Sequence, residues 1–180
     1  MAKRHDEFLE RGGRIYGISV DTAPMNAAVV EKLALPFPIL SDPDRSRAIT
    51  PLGFADEGDP RRISRPGTVI LDRGGEIVFS VTGRDYADRP KEDLLLDHLG
   101  KLGLGPVTQD PPEIGEMAPG EKAMSYEGLP HYFRGAKFAV MALRGRHREL
   151  GDEFGEDTKE YVQMVERYLE ALTAVEQRRA

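Results

Sequence analysis

The 180-residue chain contains no cysteine and no tryptophan. Without cysteine, the chain itself forms no disulfide, presents no thiolate nucleophile and offers no cysteine ligand for a metal. Long apolar stretches are also missing, since no run approaches the roughly 18–20 residues needed to span a bilayer. The basic start at residues 1–7 has no apolar segment behind it, unlike a signal peptide. These absences predict a soluble, cytoplasmic protein with no membrane partner.

The chain also has no excess of basic over acidic residues. The net charge is −6, which argues against a nucleic-acid partner because neutralising phosphates requires a basic face. With 39% hydrophobic and 31% charged residues, the chain is able to bury a core and stay soluble. Its length predicts one domain, or one domain with a sizeable appendage. No metal-ligand spacing links the four histidines, His5, His98, His131 and His147.

The stretch 66–79 is the strongest structural signal in the sequence. Two apolar, β-branched runs at 67–71 and 77–81 flank residues 72–75, whose glycines tolerate the positive φ of a tight turn. This pattern predicts a β-hairpin. Both faces of the first run are apolar, so this strand is expected inside a sheet that is covered on two sides.

Around the hairpin, strand-like and helical patterns alternate. The predicted helices are 3–10, 26–35, 45–49 and 91–102, and the predicted strands are 14–20 and 39–40. The stripe of buried residues expected on the helix 91–102 consists of Leu94, Leu95, His98 or Leu99, and Leu102.

Residues 103–122 are dense in glycine and proline and show no periodicity, which predicts a linker or a connection along the surface. Two amphipathic helices follow, with 157–160 resembling a capping box. We expect this helical hairpin to pack on the first domain or on another copy. The apolar residues that define the helices are Tyr132, Phe133, Ala136, Phe138, Ala139, Val140 and Leu143, then Tyr161, Val165, Tyr168, Leu172 and Val175.

Four segments in order, 17–21, 35–44, 65–77 and 85–90, resemble the peroxiredoxin family of the thioredoxin superfamily, the group of alkyl hydroperoxide reductase and thiol-specific antioxidant. The resemblance covers about residues 3–102. It implies an α/β fold with a thioredoxin-like mixed sheet that lacks its first strand. The expected organisation is a thioredoxin-like domain at 1–102, a linker at 103–122 and a two-helix extension at 123–180.

The resemblance also implies a chemistry, namely thiol-dependent reduction of a peroxide, with no cofactor. In the family a first strand leads to a helix that bears the peroxidatic cysteine, and residues 3–10 resemble the end of that helix. The first strand, the motif around the peroxidatic cysteine and its sulfur would all precede residue 1. We therefore interpret the chain as an amino-terminally shortened member that is inactive by itself, with a peroxide and a thiol reductant as partners of a longer form.

Three residues at the start of the hairpin are the candidate site. Family members carry an active-site arginine two residues before the hairpin threonine, here Thr68. That position holds Pro66, and Arg65 lies one residue further back. The resemblance makes Arg65 the candidate catalytic residue and places Pro66 and Thr68 in the active-site wall. Pro66 also resembles the cis-proline of thioredoxins, which predicts a cis Arg65–Pro66 bond, with a trans bond as the alternative.

Loss of the first strand has a structural consequence. In the family this strand lies between the strands that match 14–20 and 67–71, so its absence leaves unpaired backbone groups on both. Three outcomes are open. The two strands close up directly, another segment or chain fills the gap, or the chain is a fragment of a longer protein.

A rival hypothesis is a non-catalytic scaffold that forms a homodimer through the helical hairpin. Neither hypothesis uses the remaining polar clusters, which have simpler explanations. Turn and capping roles explain Asp21, Asp42 and Asp44 better than a cation site. The basic residues at 144–148 complement the negative end of a helix dipole.

Overall fold

A computed structural model describes residues 1–85 and 88–179 of the chain. The chain divides into two compact units, Met1–Gly120 and Glu121–Ala180. The architecture is mixed α/β with a helical carboxyl-terminal part, which confirms the predicted fold class. The helices are α1 (His5–Glu10), α2 (Ala23–Lys32), α3 (Glu92–Lys101), α4 (Gly128–Arg146) and α5 (Gly151–Arg179), and the strands are β1 (Gly17–Ser19), β2 (Ile39–Ser41), β3 (Gly67–Leu71) and β4 (Ile77–Thr82).

The four strands form two separate two-stranded sheets. β1 and β2 are parallel, with Gly17 opposite Ile39. β3 and β4 form the predicted antiparallel hairpin, with Thr68 opposite Val81. Within the described part of the chain, β1 and β3 therefore do not close up directly, and no other strand joins them. Of the three open outcomes, direct pairing of these strands is the one that the structure excludes.

One apolar core holds the two sheets and helices α1 and α3 together. Ile70 and Phe79, which are partners across the hairpin, pack against this core, and Ile15, which precedes β1, is one of its buried members. The buried members of this core are Phe8, Ile15, Phe37, Leu95, Leu96 and Leu99.

The buried face of α3 differs from the one predicted. Leu95, Leu96 and Leu99 are buried, whereas Leu94 is 45% exposed. Consecutive residues in a helix are about 100° apart, so a face that contains both 95 and 96 excludes 94. Leu102, the last residue of the predicted stripe, packs partly against the core.

Other local predictions need correction. The strand predicted at 14–20 extends only over Gly17–Ser19, and the helix expected at 45–49 is a series of turns. Helix α2 begins three residues earlier than predicted, with Pro24 in its first turn, where a missing N–H costs nothing. It buries Asn26, Ala28 and Val30.

The connection after α3 is fastened to the first unit. The Val107 N–H donates to the Leu9 carbonyl at 2.9 Å. The Gln109 side-chain amide pairs with the backbone of Ile15, accepting from its N–H at 2.9 Å and donating to its carbonyl at 2.6 Å. His5 Nε2 lies 3.0 Å from the same Gln109 Oε1, so this nitrogen must carry the proton. Residues 107–109 thus run alongside the chain that leads into β1.

The second unit is a helical hairpin. The rings of Phe133 and Tyr168 pack with centroids 5.2 Å apart, and Lys137 pairs with Glu166. Residues 157–160 lie inside α5, so the capping-box prediction is wrong. Instead, the Thr158 hydroxyl donates to carbonyls of the preceding turn. In the described part of the chain, no helix combines the length and apolarity that a membrane crossing needs.

Candidate functional site

The three predicted site residues lie where the chain enters β3. Arg65 is exposed, and its guanidinium donates to the Gly53 carbonyl at 3.1 Å. Its backbone N–H donates to the Phe54 carbonyl at 2.7 Å. The Arg65–Pro66 peptide bond is trans, so the predicted cis bond is wrong and the strand-opening alternative holds.

The loop that contains Phe54 covers the start of this strand. A Cβ on Gly67 would lie 2.4 Å from the Phe54 ring, so only glycine fits under that ring. Thr68 follows and is partly buried, and the Pro66 carbonyl accepts from the Gly83 N–H at 2.7 Å. The structure thus joins Arg65 to the preceding loop and ties Pro66 to the end of β4. The segment 85–90 that follows β4 includes residues 86 and 87, which lie outside the described part of the chain.

A second polar cluster, which the sequence reasoning missed, lies at the carboxyl ends of the parallel strands β1 and β2. Asn26 is 2% exposed and bridges the paired residues Ser19 and Ser41. Its Oδ1 accepts from the Ser19 hydroxyl at 2.8 Å, and its Nδ2 donates to the Ser41 hydroxyl at 3.1 Å. The carboxyl end of parallel strands is the usual place for ligands in α/β sheets. Here the polar groups satisfy one another, and the Ser19 hydroxyl also lies 3.3 Å from the exposed Asp21 carboxylate.

Replacing Asn26 with leucine removes this bridge without removing much volume. We expect a loss of about 2 kcal/mol in unfolding free energy, because two part-buried hydroxyls lose their partners. Chemical denaturation followed by circular dichroism measures it. Gln163→Leu, which also replaces a side-chain amide with leucine but at an exposed position of α5, is the control. An Asn26 variant as stable as this control would contradict the bridging role.

Asp42 organises the turns that replace the predicted helix at 45–49. The carboxylate is 2% exposed and accepts backbone N–H groups from Arg47, Ala48 and Ile49 at 2.8–3.1 Å. Burial by itself raises the pKa of Asp42. The three N–H donors, with a contribution from Asp44, outweigh that effect, so the pKa lies below its ordinary value. The predicted turn role of Asp42 is thus what the structure shows.

Arg45 is the other buried charge in this region, with 6% exposure and a positive φ of 66°. Its guanidinium donates to the Asp56 carbonyl at 3.2 Å and lies 3.6 Å from the Glu57 carboxylate. With Arg62 and residues 56–60 it lines an open cavity of about 440 Å³. Hydrogen bonds from Arg61 lower the pKa of Asp59, another lining residue, to about 2. Ion pairs within the loop thus account for much of the charge around this cavity.

Both clusters left only weak signals in the sequence. An asparagine inside an apolar helical pattern marks a buried amide, but the pattern does not name its partners. Asp42 stands in a turn motif in which surface aspartates are common, and nothing local reveals its burial.

Two exposed carboxylates accept from serine hydroxyls, Asp21 from Ser19 at 3.3 Å and Asp44 from Ser46 at 2.9 Å, and the contacts given for three of the histidines include no hydroxyl. His5 contacts Gln109, the His98 ring packs on Phe79 at 4.5 Å, and His147 pairs with Glu149. Among the residues that the structure describes, no group of three potential ligands could hold a metal ion.

Comparison with known proteins gives a family match for the first part of the chain. Residues 1–80 match the model of the AhpC/TSA family, and this range contains all three predicted site residues. This part of the chain is therefore similar to the AhpC/TSA family. The peroxiredoxin-like assignment from the sequence is thereby confirmed. The AhpC/TSA match ends within β4, so α3, the connection and the helical hairpin lie beyond it.

Among solved structures, the chain is similar to Mycobacterium tuberculosis AhpC, with 29% identity and a TM-score of 0.46. The alignment covers 56% of each chain, so the present chain spans about half the length of that relative. No curated protein matches the present chain.

Proposed function

We propose that the unit Met1–Gly120 is the later part of a thiol peroxidase domain. In the reaction of this family, a cysteine thiolate attacks a peroxide oxygen, the O–O bond breaks with release of an alcohol or water, and the cysteine becomes a sulfenic acid. A thiol reductant returns the sulfenic acid to the thiol, releasing water and becoming a disulfide itself. The 180 residues hold no sulfur nucleophile. The chain is therefore inactive by itself, and a peroxiredoxin-like redox activity would need a cysteine-bearing strand and helix from outside these residues.

The arrangement of the strands carries this proposal. β1 and β3 belong to separate sheets, yet Ile15, which precedes β1, and Ile70 of β3 pack in one core. Gly17 and Ser19 bond to β2, so the N–H and carbonyl of Ile18 between them point to the other edge of β1. In the family the first strand lies between these two strands. Removal of that first strand would divide the sheet between the strands that match β1 and β3.

Within this proposal, Arg65 is the residue that would act on the peroxide site, and Pro66 and Thr68 form its wall. Arg65 lies at the exposed start of β3, next to the gap left by the missing strand, and its guanidinium has a single described hydrogen bond, to Gly53. A guanidinium held by one carbonyl has donors left for an anionic or polar substrate.

A peroxide-consumption assay with a dithiol reductant tests the inactive state. We expect the chain to consume hydrogen peroxide at the rate of buffer, because a hydroxyl does not pass through a sulfenic acid. The control is the same protein after heat denaturation. Turnover clearly above both would overturn the proposal, since it would require a nucleophile that the family chemistry does not use.

The alternative proposal is a non-catalytic thioredoxin-fold scaffold that forms a homodimer through its helical hairpin. The exposed aromatic and aliphatic side chains on α4 favour it, since contiguous apolar patches commonly mark interaction sites. For either function we place the protein in the cytoplasm and propose no nucleic-acid partner. Sedimentation velocity of the full chain tests self-association, and a monomer at all concentrations would exclude the scaffold function.

A further inference from the structure

Arg45 has an incomplete set of hydrogen bonds beside the open cavity of the first unit. The residue is 6% exposed, and its Nη1 donates to the Asp56 carbonyl at 3.2 Å. Its Nε is buried without an acceptor, and no other buried side-chain nitrogen or oxygen in the described part of the chain lacks a partner. An unpaired buried donor destabilises a fold, which makes this guanidinium a candidate binding group.

The unpaired Nε belongs to the edge of the guanidinium that binds carboxylates through two parallel hydrogen bonds. On this edge the N–H of Nε and one N–H of Nη2 point the same way and match the two oxygens of a carboxylate. The Glu57 carboxylate lies 3.6 Å from Nη2, which is too far for a hydrogen bond. Its side chain is 75% exposed, so moving it away from this edge costs little.

The backbone of Arg45, by contrast, is fixed within the turn that Asp42 organises. Its N–H donates to the Asp42 carbonyl at 3.0 Å, and its carbonyl accepts from the Thr50 N–H at 2.8 Å. A buried and anchored guanidinium therefore stands beside a carboxylate that is able to leave. This arrangement suits a ligand that takes the place of the carboxylate.

The charges on the wall of this cavity have both signs. Two arginines, Arg45 and Arg62, and three acidic residues, Asp56, Glu57 and Asp59, line it. Arg61 pairs with Asp59 and neutralises its charge. Two positive and two negative side chains remain, so a phosphate dianion would be repelled by two carboxylates. A ligand with one carboxylate and one ammonium group matches both signs.

We propose that this cavity binds a free amino acid through both of its charged groups. The carboxylate of the ligand displaces Glu57 and accepts hydrogen bonds from Nε and Nη2 of Arg45. The ammonium group of the ligand lies against the Asp56 carboxylate, whose Oδ1 is held by the Gly58 N–H at 3.0 Å. A cavity of about 440 Å³ accommodates a ligand of this size. The site is separate from the proposed peroxide chemistry and does not depend on it.

Titration of the full chain with glycine, the simplest ligand of this class, tests the site. The signals of the arginine Nε–H groups in a ¹H–¹⁵N correlation spectrum are the readout, and loss of one signal in Arg45→Lys identifies that of Arg45. We expect this signal to move downfield as Nε gains an acceptor, with a dissociation constant of about 1 mM. An Arg45 signal that stays in place up to about 20 mM glycine would refute the site.

Two conservative variants separate the contacts of the ligand. Glu57→Gln removes the competing carboxylate and should tighten glycine binding roughly threefold. Asp56→Asn keeps an acceptor for the Gly58 N–H but removes the charge, so glycine binding should weaken roughly fivefold and acetate binding should not weaken. Glu113→Gln, the change made at Glu57 but at an exposed position outside the cavity, is the control and should bind like wild type. Circular dichroism verifies that each variant is folded.

Three results would contradict the proposal in different ways. Weaker glycine binding in Glu57→Gln would mean that Glu57 is a partner of the ligand and is not displaced by it. Acetate binding as tight as glycine binding would remove the contact between the ammonium group and Asp56. Inorganic phosphate that moves the Arg45 signal at lower concentration than glycine would make the cavity a simple anion site and exclude the amino acid.

Discussion

Replacing Leu95 with alanine should lower the free energy of unfolding of the first unit by roughly 3 kcal/mol. Leu95 is 1% exposed and lies in the core that joins α1 and α3 to the hairpin. Alanine removes the buried methyl groups and leaves a cavity that neighbours close only in part. Urea denaturation measures the change as a shift of the midpoint at constant slope.

The adjacent residue is the matched control. Leu94 is 45% exposed on the same helix, so Leu94→Ala removes the same atoms and should cost less than about 0.5 kcal/mol. Equal costs at the two positions would show that α3 packs in another register, and the core described for this unit would then be wrong.

Replacing Asp42 with alanine at pH 7 should lower the thermal midpoint by roughly 5–10 °C. The change leaves the N–H groups of Arg47, Ala48 and Ile49 without the acceptor that holds this turn. Asp97→Asn on the exposed side of α3 is the control and should change the midpoint little. Differential scanning fluorimetry gives the midpoints. A change as small as that of the control would contradict the role of Asp42 as the organiser of the turn.

The pH dependence gives a second measurement on Asp42. Its pKa is lowered in the folded protein, so the unfolded chain takes up a proton at higher pH than the folded one. The stabilisation is complete above the ordinary carboxyl pKa near 4 and is lost as the pH falls through the lower folded value. We therefore expect the difference in unfolding free energy between wild type and Asp42→Asn to be constant from pH 7 to about 5 and to become smaller below about 4. A difference that grows on acidification would mean that folding raises the pKa of Asp42, and it would refute the lowered pKa assigned to this carboxylate.

Prediction from the sequence succeeded where local patterns carry the information. The hairpin at β3 and β4 follows from two β-branched runs around a glycine turn, and α3, α4 and α5 follow from apolar periodicity. Prediction failed at the ends of elements and at 45–49, where a carboxylate from another position in the turn replaces helical hydrogen bonds. The register of α3 failed because Leu94, Leu95 and Leu96 are identical side chains, and only packing distinguishes them.

The sequence by itself determined that this chain cannot carry out thiol chemistry, because no residue supplies the sulfur. Its order of short motifs also indicated the resemblance of the first part to peroxiredoxins, since those motifs are local and do not depend on coordinates. Only the tertiary structure decided that β1 and β3 lie in separate sheets and that Asn26 and Asp42 are buried anchors. Strand pairing and burial depend on residues far apart in the chain, and no local pattern records which of them meet.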